Sequence, residues 1–326
     1  MKKKVGALLL ASVMMLGLAA CGSKEEAKPA SSPSASPASA AKKLDKISYL
    51  NTEYSLPGKA DRIIFAGSLE SMEDALVLGV KPVGATTVGG KFPSMFSKVT
   101  EGVEAIGEKM QPSVESMLKL KPDVILASTK FPAESIEKFK KVGTTIPVSH
   151  KSTDWEANLN LLAELTGKQE EAKKALQSYK DDLKETKEKI GLVFKDKKVL
   201  AIRVRTGNIY IYPQEVFFNP SLYADLGAQV PEEVKEAKAQ QLISLEKLSE
   251  MNPDYLFIQF AEDENKDKPK ALEDLQNNPI FKSINAVKNE NVFFNLVDPI
   301  AQGGTAYSKI SFLEANKKAK SFKQSE

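Results

Sequence analysis

Short apolar runs alternate with amphipathic stretches from about residue 60 onward. Residues 62–66 are such a run and end at Gly67, which predicts a buried strand. Ser68 follows as a candidate N-cap, the next ten residues carry apolar side chains at helical spacing, and Gly79 closes them. Residues 80–86 predict a second strand. A strand–helix–strand unit of this length predicts a parallel sheet covered by helices.

One segment of the first half recurs in the second half. Residues 113–126 align without gaps to residues 244–257, with Ser, Glu, Pro and Asp in register and an apolar triplet at the end of each copy. Each copy predicts a Ser N-cap, a short helix with Glu in its first turn, a Pro-Asp turn and a buried strand. The copies lie too far apart for a solenoid. They therefore predict two similarly built lobes.

The strongest helical pattern lies between the two copies. Thr153 and Glu156 have the spacing of a capping box, and apolar side chains follow at helical spacing until Gly167. Residues 168–190 carry a second apolar stripe, and a helix of that length spans roughly 30–35 Å. A coiled coil is the alternative, but the stripe covers only about three heptads. A rigid helix that joins two lobes fits the pattern better.

Composition excludes several kinds of site. The 326 residues include one Cys and one His, which rules out an intrachain disulfide and disfavours a Cys/His zinc site or a Cys–His nucleophilic pair. A net charge of +3 is too small to indicate nucleic-acid binding. The GxSxG, HExxH and P-loop motifs do not occur in the sequence. We therefore expect no enzyme, although acid/base chemistry by Asp and Glu alone, as in an extracellular α/β hydrolase, stays an alternative.

The N-terminus has the form of an export signal. Residues 2–4 are lysines, and the uncharged run of residues 5–20 is shorter than a transmembrane helix requires. The run ends in Leu18-Ala-Ala-Cys21, which resembles the lipobox of bacterial lipoproteins. That resemblance implies that Cys21 carries a diacylglyceryl group and becomes the mature N-terminus. A plain signal peptide followed by a chance cysteine is the alternative.

The tether and the charge follow from this signal. Residues 22–41 are rich in Pro, Ser and Ala and contain no large apolar side chain, which predicts a disordered tether. Removal of residues 1–20 takes away three of 46 basic residues, so 43 remain against 43 acidic ones. The mature protein is thus formally neutral.

We expect an α/β protein with two Rossmann-like α/β lobes joined by a single long helix. The expected boundaries are a signal peptide 1–20, a lipidated cysteine and tether 21–45, an N-terminal lobe 46–153, connecting helices 154–192 and a C-terminal lobe 193–326.

This combination of features resembles the iron–siderophore and vitamin B12 class of ABC-transporter substrate-binding proteins. The segments that carry the resemblance are residues 62–65, residues 78–84 and the two Ser-x-Glu…Pro-Asp copies. The resemblance implies that a ligand binds between the lobes without covalent chemistry or a cofactor. It also implies that the long helix limits closure to a small tilt, and that the partners are an ABC permease and its ATPase. We expect a monomer.

Two glutamates have a role in the family that the resemblance transfers to this chain. Glu115 and Glu246 match the acidic residues, one in each lobe, that pair with arginines of the permease. The alternative is that each carboxylate only complements the N-terminus of its helix, which contributes about 0.3–1 kcal/mol.

A pair of arginines is the most informative local chemistry. Residues 199–212 predict a β-hairpin with a tight turn at residues 206–208. The alternation of a strand places Arg203 and Arg205 on one face. Two guanidiniums side by side repel each other and require an anion between them. A solvated strand edge with ordinary ion pairs is the alternative.

Further polar candidates follow from the repeat. Lys109 precedes the first Ser-x-Glu helix, whereas Lys238 and Gln240 precede the second, so we expect them at equivalent lobe tips facing the cleft. Lys130 follows a predicted strand, at the end where α/β sheets place ligand sites. Each lysine alone also fits an ordinary surface position. Together with the arginine pair, the set resembles the basic pocket of the catecholate-binding lipoproteins of Gram-positive bacteria, typified by the bacillibactin and enterobactin receptors.

A cationic cleft limits the choice of ligand. Ferric tris-catecholates are negatively charged and have aromatic faces, so Arg and Lys suit them by charge and by cation–π contact. Ferric hydroxamates are roughly neutral and do not require such a cleft. Direct metal capture is disfavoured because His150 is the single histidine. We therefore expect a receptor for a ferric siderophore that itself holds the iron, anchored at the outer face of a Gram-positive membrane. A hydroxamate, haem or corrinoid receptor and a structural adhesin are the alternatives.

Overall fold

The structure, a computed structural model, describes residues 44–318. The predicted signal peptide, Cys21 and the tether up to residue 43 lie outside these residues. Within the described range, no helix combines the length and the hydrophobicity that crossing a membrane requires.

The first half forms a hairpin and a six-stranded sheet. Its strands are β1 Leu44–Tyr49, β2 Thr52–Gly58, β3 Ile63–Ala66, β4 Gly84–Thr87, β5 Glu104–Glu108, β6 Gln111–Pro112, β7 Val124–Ser128 and β8 Thr144–Val148. Its helices are α1 Leu69–Leu78, α2 Ser97–Thr100, α3 Val114–Leu120 and α4 Ala133–Lys140. The sheet order is β6-β5-β4-β3-β7-β8, with β6 antiparallel to β5 and the other neighbours parallel. We call this half the N-terminal lobe.

The second half forms a five-stranded sheet. Two helices precede it, α5 Trp155–Thr166 and α6 Gln169–Phe194. Its strands are β9 Val199–Arg205, β10 Asn208–Ile211, β11 Gln241–Ile243, β12 Tyr255–Phe260 and β13 Val292–Phe294. Its helices are α7 Glu232–Glu236, α8 Leu245–Met251, α9 Ala271–Asn277, α10 Pro279–Lys282, α11 Asn285–Lys288 and α12 Ala306–Lys318. The order is β11-β10-β9-β12-β13, and β12 runs parallel to both neighbours. We call this half the C-terminal lobe.

The two-sheet α/β architecture agrees with the predicted fold class. The lobe boundaries at residues 46, 154 and 193 stay predictions. One detail differs from them, because β1 begins at Leu44, inside the stretch assigned to the tether.

The sequence repeat is a structural repeat. The Ser113 hydroxyl accepts the N–H of Ser116 at the start of α3, and Ser244 caps α8 in the same way. Both helices end at a residue in the left-handed region, Lys121 and Asn252, each with φ 44°. The predicted caps and short helices are therefore confirmed.

The Pro-Asp turns attach each repeat to the strand beside it. Asp123 Oδ2 accepts the N–H of Arg62 at 3.0 Å, immediately before β3. Asp254 Oδ2 accepts the N–H of Lys198 at 3.0 Å, immediately before β9. The strands that follow the turns, β7 and β12, are buried along their whole length and pair with β3 and β9 respectively. Each repeat thus sets the register of two central strands.

The connecting helices partly follow the prediction. Gly167 ends α5 in the left-handed region, as expected, and α6 has 26 residues, or about 39 Å. The capping box is wrong, because a 3₁₀ turn at Ser152–Asp154 precedes α5 and makes Asp154 its N-cap. The Asp154 carboxylate accepts the hydroxyl of Ser149 at 2.6 Å instead of capping the helix.

Helix α12, the last helix of the C-terminal half, packs against the N-terminal lobe. It packs against α1, α5 and α6. Its buried Lys309 ion-pairs with Asp225, and the ammonium lies 5.4 Å from the ring centre of Trp155 and 5.6 Å from that of Tyr179. The pair and the rings compensate the cost of burying this charge.

Two buried carboxylates of α1 hold the segment that leads into α12. Glu73 accepts the N–H of Gln302 at 2.6 Å, the hydroxyl of Thr305 at 2.5 Å and the hydroxyl of Ser308. Burial raises the pKa of Glu73 to about 7, although these hydrogen bonds oppose the rise. Burial, and then the charge of Glu73, raise the pKa of Asp74 well above its usual range. Folding therefore favours the protonated carboxyls.

We expect Glu73→Gln to flatten the pH dependence of stability between pH 5 and pH 7.5. In this window the folded protein holds a proton on Glu73 that the unfolded chain has lost, so the free energy of unfolding falls as the pH rises. The difference between the two pH values shrinks by on the order of 2–3 kcal/mol in the variant. Urea unfolding at both pH values measures it. Glu188→Gln, at an exposed position of α6, is the control, and an equal slope in all three proteins would contradict the prediction.

Candidate ligand-binding site

A cavity of about 410 Å³ is lined by residues of both lobes. We call it the basic cavity. All six residues predicted to bind the ligand line it: Lys109, Lys130, Arg203, Arg205, Lys238 and Gln240. Three of them lie at or just beyond the end of a strand (Lys109, Lys130 and Arg205), Arg203 lies within β9, and Lys238 and Gln240 precede the Ser-capped helix α8. Their role in binding stays a prediction.

On the N-terminal side, one buried carboxylate pairs with a lysine. Lys130 Nζ lies 2.9 Å from Glu70 Oε1, and the Glu70 side chain is 4% exposed. Burial alone would raise the pKa of Glu70, but the charges of Lys130 and Lys109 outweigh it and hold that pKa below its usual value. Its Oε2 is buried without a hydrogen-bond partner in the described structure. Sequence reasoning missed Glu70, because it reads as an ordinary first-turn glutamate of α1.

Lys109 is the cation of this wall that lacks a counter-ion. It directly follows β5, and its backbone N–H donates to the carbonyl of Thr87. The side chain is partly exposed to the cavity, and within residues 44–318 its ammonium makes no ion pair or hydrogen bond. Burial, and then the neighbouring charge of Lys130, lower the pKa of Lys109 to about 7. Lys109 is therefore partly deprotonated at neutral pH.

His150 also lines the basic cavity. Its Nδ1 lies 2.7 Å from the hydroxyl of Thr129. Burial, and then the charge of Lys130, lower its pKa, so the neutral ring is favoured at pH 7. The part of the chain described by the structure contains no cluster of three or more His, Cys, Asp or Glu that would hold a metal ion.

On the C-terminal side, the two arginines share one carboxylate. Arg203 Nε lies 2.9 Å from Glu264 Oε2, and Arg205 Nε lies 3.4 Å from Glu264 Oε1. The hairpin that carries the arginines is confirmed, but its turn is shorter than the predicted 206–208, because Asn208 already pairs with Arg205 and leaves only Thr206 and Gly207 in the turn. The anion expected between the guanidiniums is thus a side chain of the protein. Sequence reasoning missed Glu264, and the signal was the acidic run 262–264 that directly follows the apolar strand β12.

The remaining contacts fix the outer parts of this wall. Gln240 Oε1 accepts Arg205 Nη1 at 3.1 Å and the hydroxyl of Tyr212 at 3.2 Å. The guanidinium carbon of Arg203 lies 5.9 Å from the ring centre of Phe217. Tyr212 and Phe217 were not predicted from the sequence, and both line the cavity. Aromatic surface therefore adjoins the cations.

The segment that carries Glu264 also bridges the lobes. Lys91 Nζ lies 3.4 Å from Asp263 Oδ2, and Lys266 Nζ donates to the carbonyl of Gly89 at 3.4 Å. Glu108 holds the Gly89 side of this contact, because its carboxylate accepts the N–H groups of Gly89 and Gly90. These polar contacts join the two lobes beside the segment that carries Glu264.

The charges of the basic cavity leave a positive excess. Two carboxylates, Glu70 and Glu264, face five cations: Lys109, Lys130, Arg203, Arg205 and Lys238. Three positive charges remain when Lys109 is protonated. In a partly desolvated cleft this excess favours an anion of several charges. The exposed side chain of Met110 adds apolar surface for its organic part, whereas the rings of Tyr212 and Phe217 line the cavity but are buried.

The two glutamates predicted to dock on the permease lie at the surface. Glu115 is in the first turn of α3, with its Oε1 2.8 Å from Lys119 Nζ. Glu246 is in the first turn of α8, where backbone N–H and Ser244 hydrogen bonds lower its pKa. Both are exposed and occupy equivalent places in the structural repeat. Their docking role stays a prediction.

Comparison with known proteins gives three findings. A family model described as "Periplasmic binding protein" matches residues 66–295. The chain is 55% identical to the "Iron-uptake system-binding protein" of Bacillus subtilis over 314 residues, which cover 96% of this chain and 97% of that protein. It is 30% identical to the "Iron(3+)-hydroxamate-binding protein FhuD" of Bacillus subtilis over 321 residues, with 93% and 95% covered.

A solved structure also matches the fold. It is the triscatecholate siderophore binding protein FeuA from Bacillus subtilis complexed with ferri-bacillibactin. The TM-score is 0.81 at 58% identity, and the match covers 84% of this chain and 96% of that one. The resemblance noted from the sequence and the predicted two-lobed fold are both confirmed by these matches.

We expect Lys109 to be the most reactive lysine of the ligand-free protein at pH 7.5. A deprotonated amine is nucleophilic, and ordinary lysines have a pKa near 10.4 and stay charged at this pH. Limiting acetic anhydride should modify Lys109 roughly tenfold faster than other lysines, as measured by peptide mass spectrometry. Lys130, in the same cavity but paired to Glu70, is the internal control. Modification of Lys109 at the rate of exposed lysines would contradict the lowered pKa.

Proposed function

Because this chain belongs to the periplasmic binding protein family, we propose that it is the substrate-binding component of an ABC importer and captures a ferric tris-catecholate siderophore in its basic cavity. The observation that carries the proposal is the convergence of five cations and only two carboxylates on one cleft between the lobes. Binding is the whole task, and the protein releases the same ligand to the permease. The iron stays bound to the siderophore throughout.

The charge of the ligand suits this cavity. Iron(III) with three doubly deprotonated catecholates carries three negative charges, which equals the positive excess of the site with Lys109 protonated. The catecholate rings offer faces to guanidinium and ammonium groups, so that cation–π contact adds to charge attraction. A roughly neutral ferric hydroxamate would leave the positive excess uncompensated. The geometry therefore favours the catecholate.

The relatives support the same choice. The solved structure at 58% identity is named as a triscatecholate siderophore binding protein, whereas the relative named as a hydroxamate-binding protein is only 30% identical. The family and these relatives are binding proteins, which favours a receptor over the hydrolase alternative. A ferric hydroxamate, haem and a corrinoid are the competing ligands, and each is titrated in the same fluorescence assay.

The partners and the location complete the proposal. Glu115 and Glu246 pair with arginines of the permease, one from each lobe, and the permease works with an ATPase. Lipidated Cys21 anchors the protein to the outer face of the cell membrane, and the protein acts as a monomer. The exposure of both glutamates at equivalent positions of the repeat supports the docking role.

We expect the wild-type protein to bind ferric bacillibactin or ferric enterobactin with a Kd below about 1 µM, measured by quenching of intrinsic fluorescence. Replacing both arginines, Arg203→Gln with Arg205→Gln, should weaken binding by roughly 100-fold or more. The reason is that hydrogen bonds to charged groups each contribute about 1.5–3 kcal/mol.

The control for this prediction removes two charges elsewhere. Lys140→Gln with Lys141→Gln changes exposed lysines at the end of α4 and should alter the Kd by less than about threefold. Unchanged affinity in the arginine variant would remove the pair from the site. Tighter binding of a ferric hydroxamate than of either catecholate would overturn the choice of ligand.

We expect Glu115→Ala with Glu246→Ala to reduce siderophore-dependent iron uptake by cells at least roughly tenfold while the Kd of the purified protein is unchanged. The docking contact involves each carboxylate with a permease arginine, and loss of such a pair weakens an interface without touching the cavity. Glu134→Ala with Glu232→Ala is the matched control, since both are exposed glutamates in the first turn of a helix. Equal uptake in the two double variants would contradict the docking role.

A further inference from the structure

Two neighbouring guanidiniums need something to hold them together before any ligand arrives. Arg203 and Arg205 lie on one face of β9, two residues apart, so their charges repel. Both contact the single carboxylate of Glu264, and each does so through Nε. This leaves the terminal Nη groups as the donors that remain for a ligand, and Arg205 gives one of them to Gln240. The Glu264 carboxylate thus orients both guanidinium groups through contacts with their Nε atoms.

The backbone fixes Glu264 to the hairpin that carries the arginines. The N–H of Thr206 donates to the Glu264 carbonyl at 3.1 Å. The next residue, Asn265, is 1% exposed; its Oδ1 accepts the N–H of Gly207 and its Nδ2 donates to the carbonyl of Val204, both at 3.0 Å. The short acidic segment and the hairpin turn therefore form one rigid unit.

The Glu264 side chain is itself shielded. It is 13% exposed, against 6% for Arg203 and 40% for Arg205. The more exposed Arg205 therefore meets an entering anion before this carboxylate does, whereas Arg203 is the most buried of the three side chains. Shielding reduces the repulsion between the carboxylate and an anionic ligand, whereas the contacts to both arginines are kept.

We propose that Glu264 is a positioning residue of the ligand site, which aligns Arg203 and Arg205 for a trianionic ferric catecholate. This inference rests on the proposed function. A preorganised pair spends less of the binding free energy on ordering two long side chains and on bringing like charges together. The cost is one negative charge near an anionic ligand.

A simpler role predicts the opposite effect. If Glu264 only lowered the positive charge of the cavity, Glu264→Gln would attract the trianion more strongly and tighten binding. If Glu264 positions the arginines, the same variant loses their alignment and binds more weakly. The sign of the change in Kd therefore separates the two roles.

The experiment measures the Kd of ferric bacillibactin for five proteins: the wild type, Glu264→Gln, Glu264→Asp, Glu262→Gln and a triple variant that adds Glu264→Gln to Arg203→Gln and Arg205→Gln. The first substitution should weaken binding about tenfold. The aspartate keeps the charge and should restore part of the loss. Glu262 is exposed in the same segment, and its replacement removes the same charge and should alter the Kd by less than about twofold.

The arginine background shows whether Glu264 acts through the arginines. In the triple variant the Kd should be no higher than that of the arginine double variant, because there is nothing left to align and one charge that repels the trianion is gone. A tenfold loss in both backgrounds would mean a merely structural role and overturn the proposal. Binding by Glu264→Gln that is as tight as the wild type would overturn it as well.

Two controls are measured beside the Kd values: the thermal unfolding of each variant and the binding of a ferric catecholate by the wild type. Thermal unfolding of each variant shows whether it folds. If Glu264→Gln does not fold, the Kd of Glu264→Asp tests the proposal instead. The shorter aspartate side chain cannot reach both Nε atoms at these distances and should weaken binding severalfold. Aspartate binding as tightly as the wild type would then overturn the proposal. Failure of the wild type to bind any ferric catecholate would instead overturn the proposed function, and the inference with it.

Discussion

The mutual repulsion of cations gathered in one cleft is the constraint on which the site depends. Two unit charges 4 Å apart interact by about 4 kcal/mol at the effective dielectric near a protein surface, and the basic cavity holds five of them. Glu70 compensates Lys130 from within the N-terminal lobe, and Glu264 compensates the arginine pair from within the C-terminal lobe. Lys109 makes no such ion pair among the described residues, and burial, followed by the charge of Lys130, lowers its pKa. The cavity thus carries a positive excess, which an anionic ligand can compensate.

Local signals explain why much of the fold was predictable. The Ser caps, the Pro-Asp turns and the apolar strands of the repeat each depend on residues a few positions apart, so a gapless match in sequence became a match in structure. The strand alternation that put Arg203 and Arg205 on one face is equally local. The same reasoning located the six polar residues of the cavity, because strand ends and helix starts are readable from the sequence.

The parts that could not be predicted depend on pairing over long distances. Glu264 lies 61 residues after Arg203, and it reaches the guanidinium only because β12 pairs with β9 in parallel register. Glu70 meets Lys130 across 60 residues for the corresponding reason in the other sheet. The predicted capping box is wrong for a different reason. A 3₁₀ turn before α5 makes Asp154 the N-cap instead of Thr153, and the Asp154 carboxylate accepts a hydrogen bond from the Ser149 hydroxyl. These ion pairs and the start of α5 depend on tertiary packing, which cannot be inferred from a local sequence pattern.

The return of α12 to the N-terminal side has a mechanical consequence. The chain passes between the two sheets once through α5 and α6, and a second time through the segment held by Glu73 on its way to α12. Because two separate crossings restrict relative motion more than one does, we expect the sheets to rotate about the line through them rather than to slide past each other. A rotation of this kind changes the gap between Glu115 and Glu246 while each helix keeps its own shape. Under the proposed docking, a permease that contacts both glutamates would therefore meet a different span in the ligand-bound and the ligand-free protein.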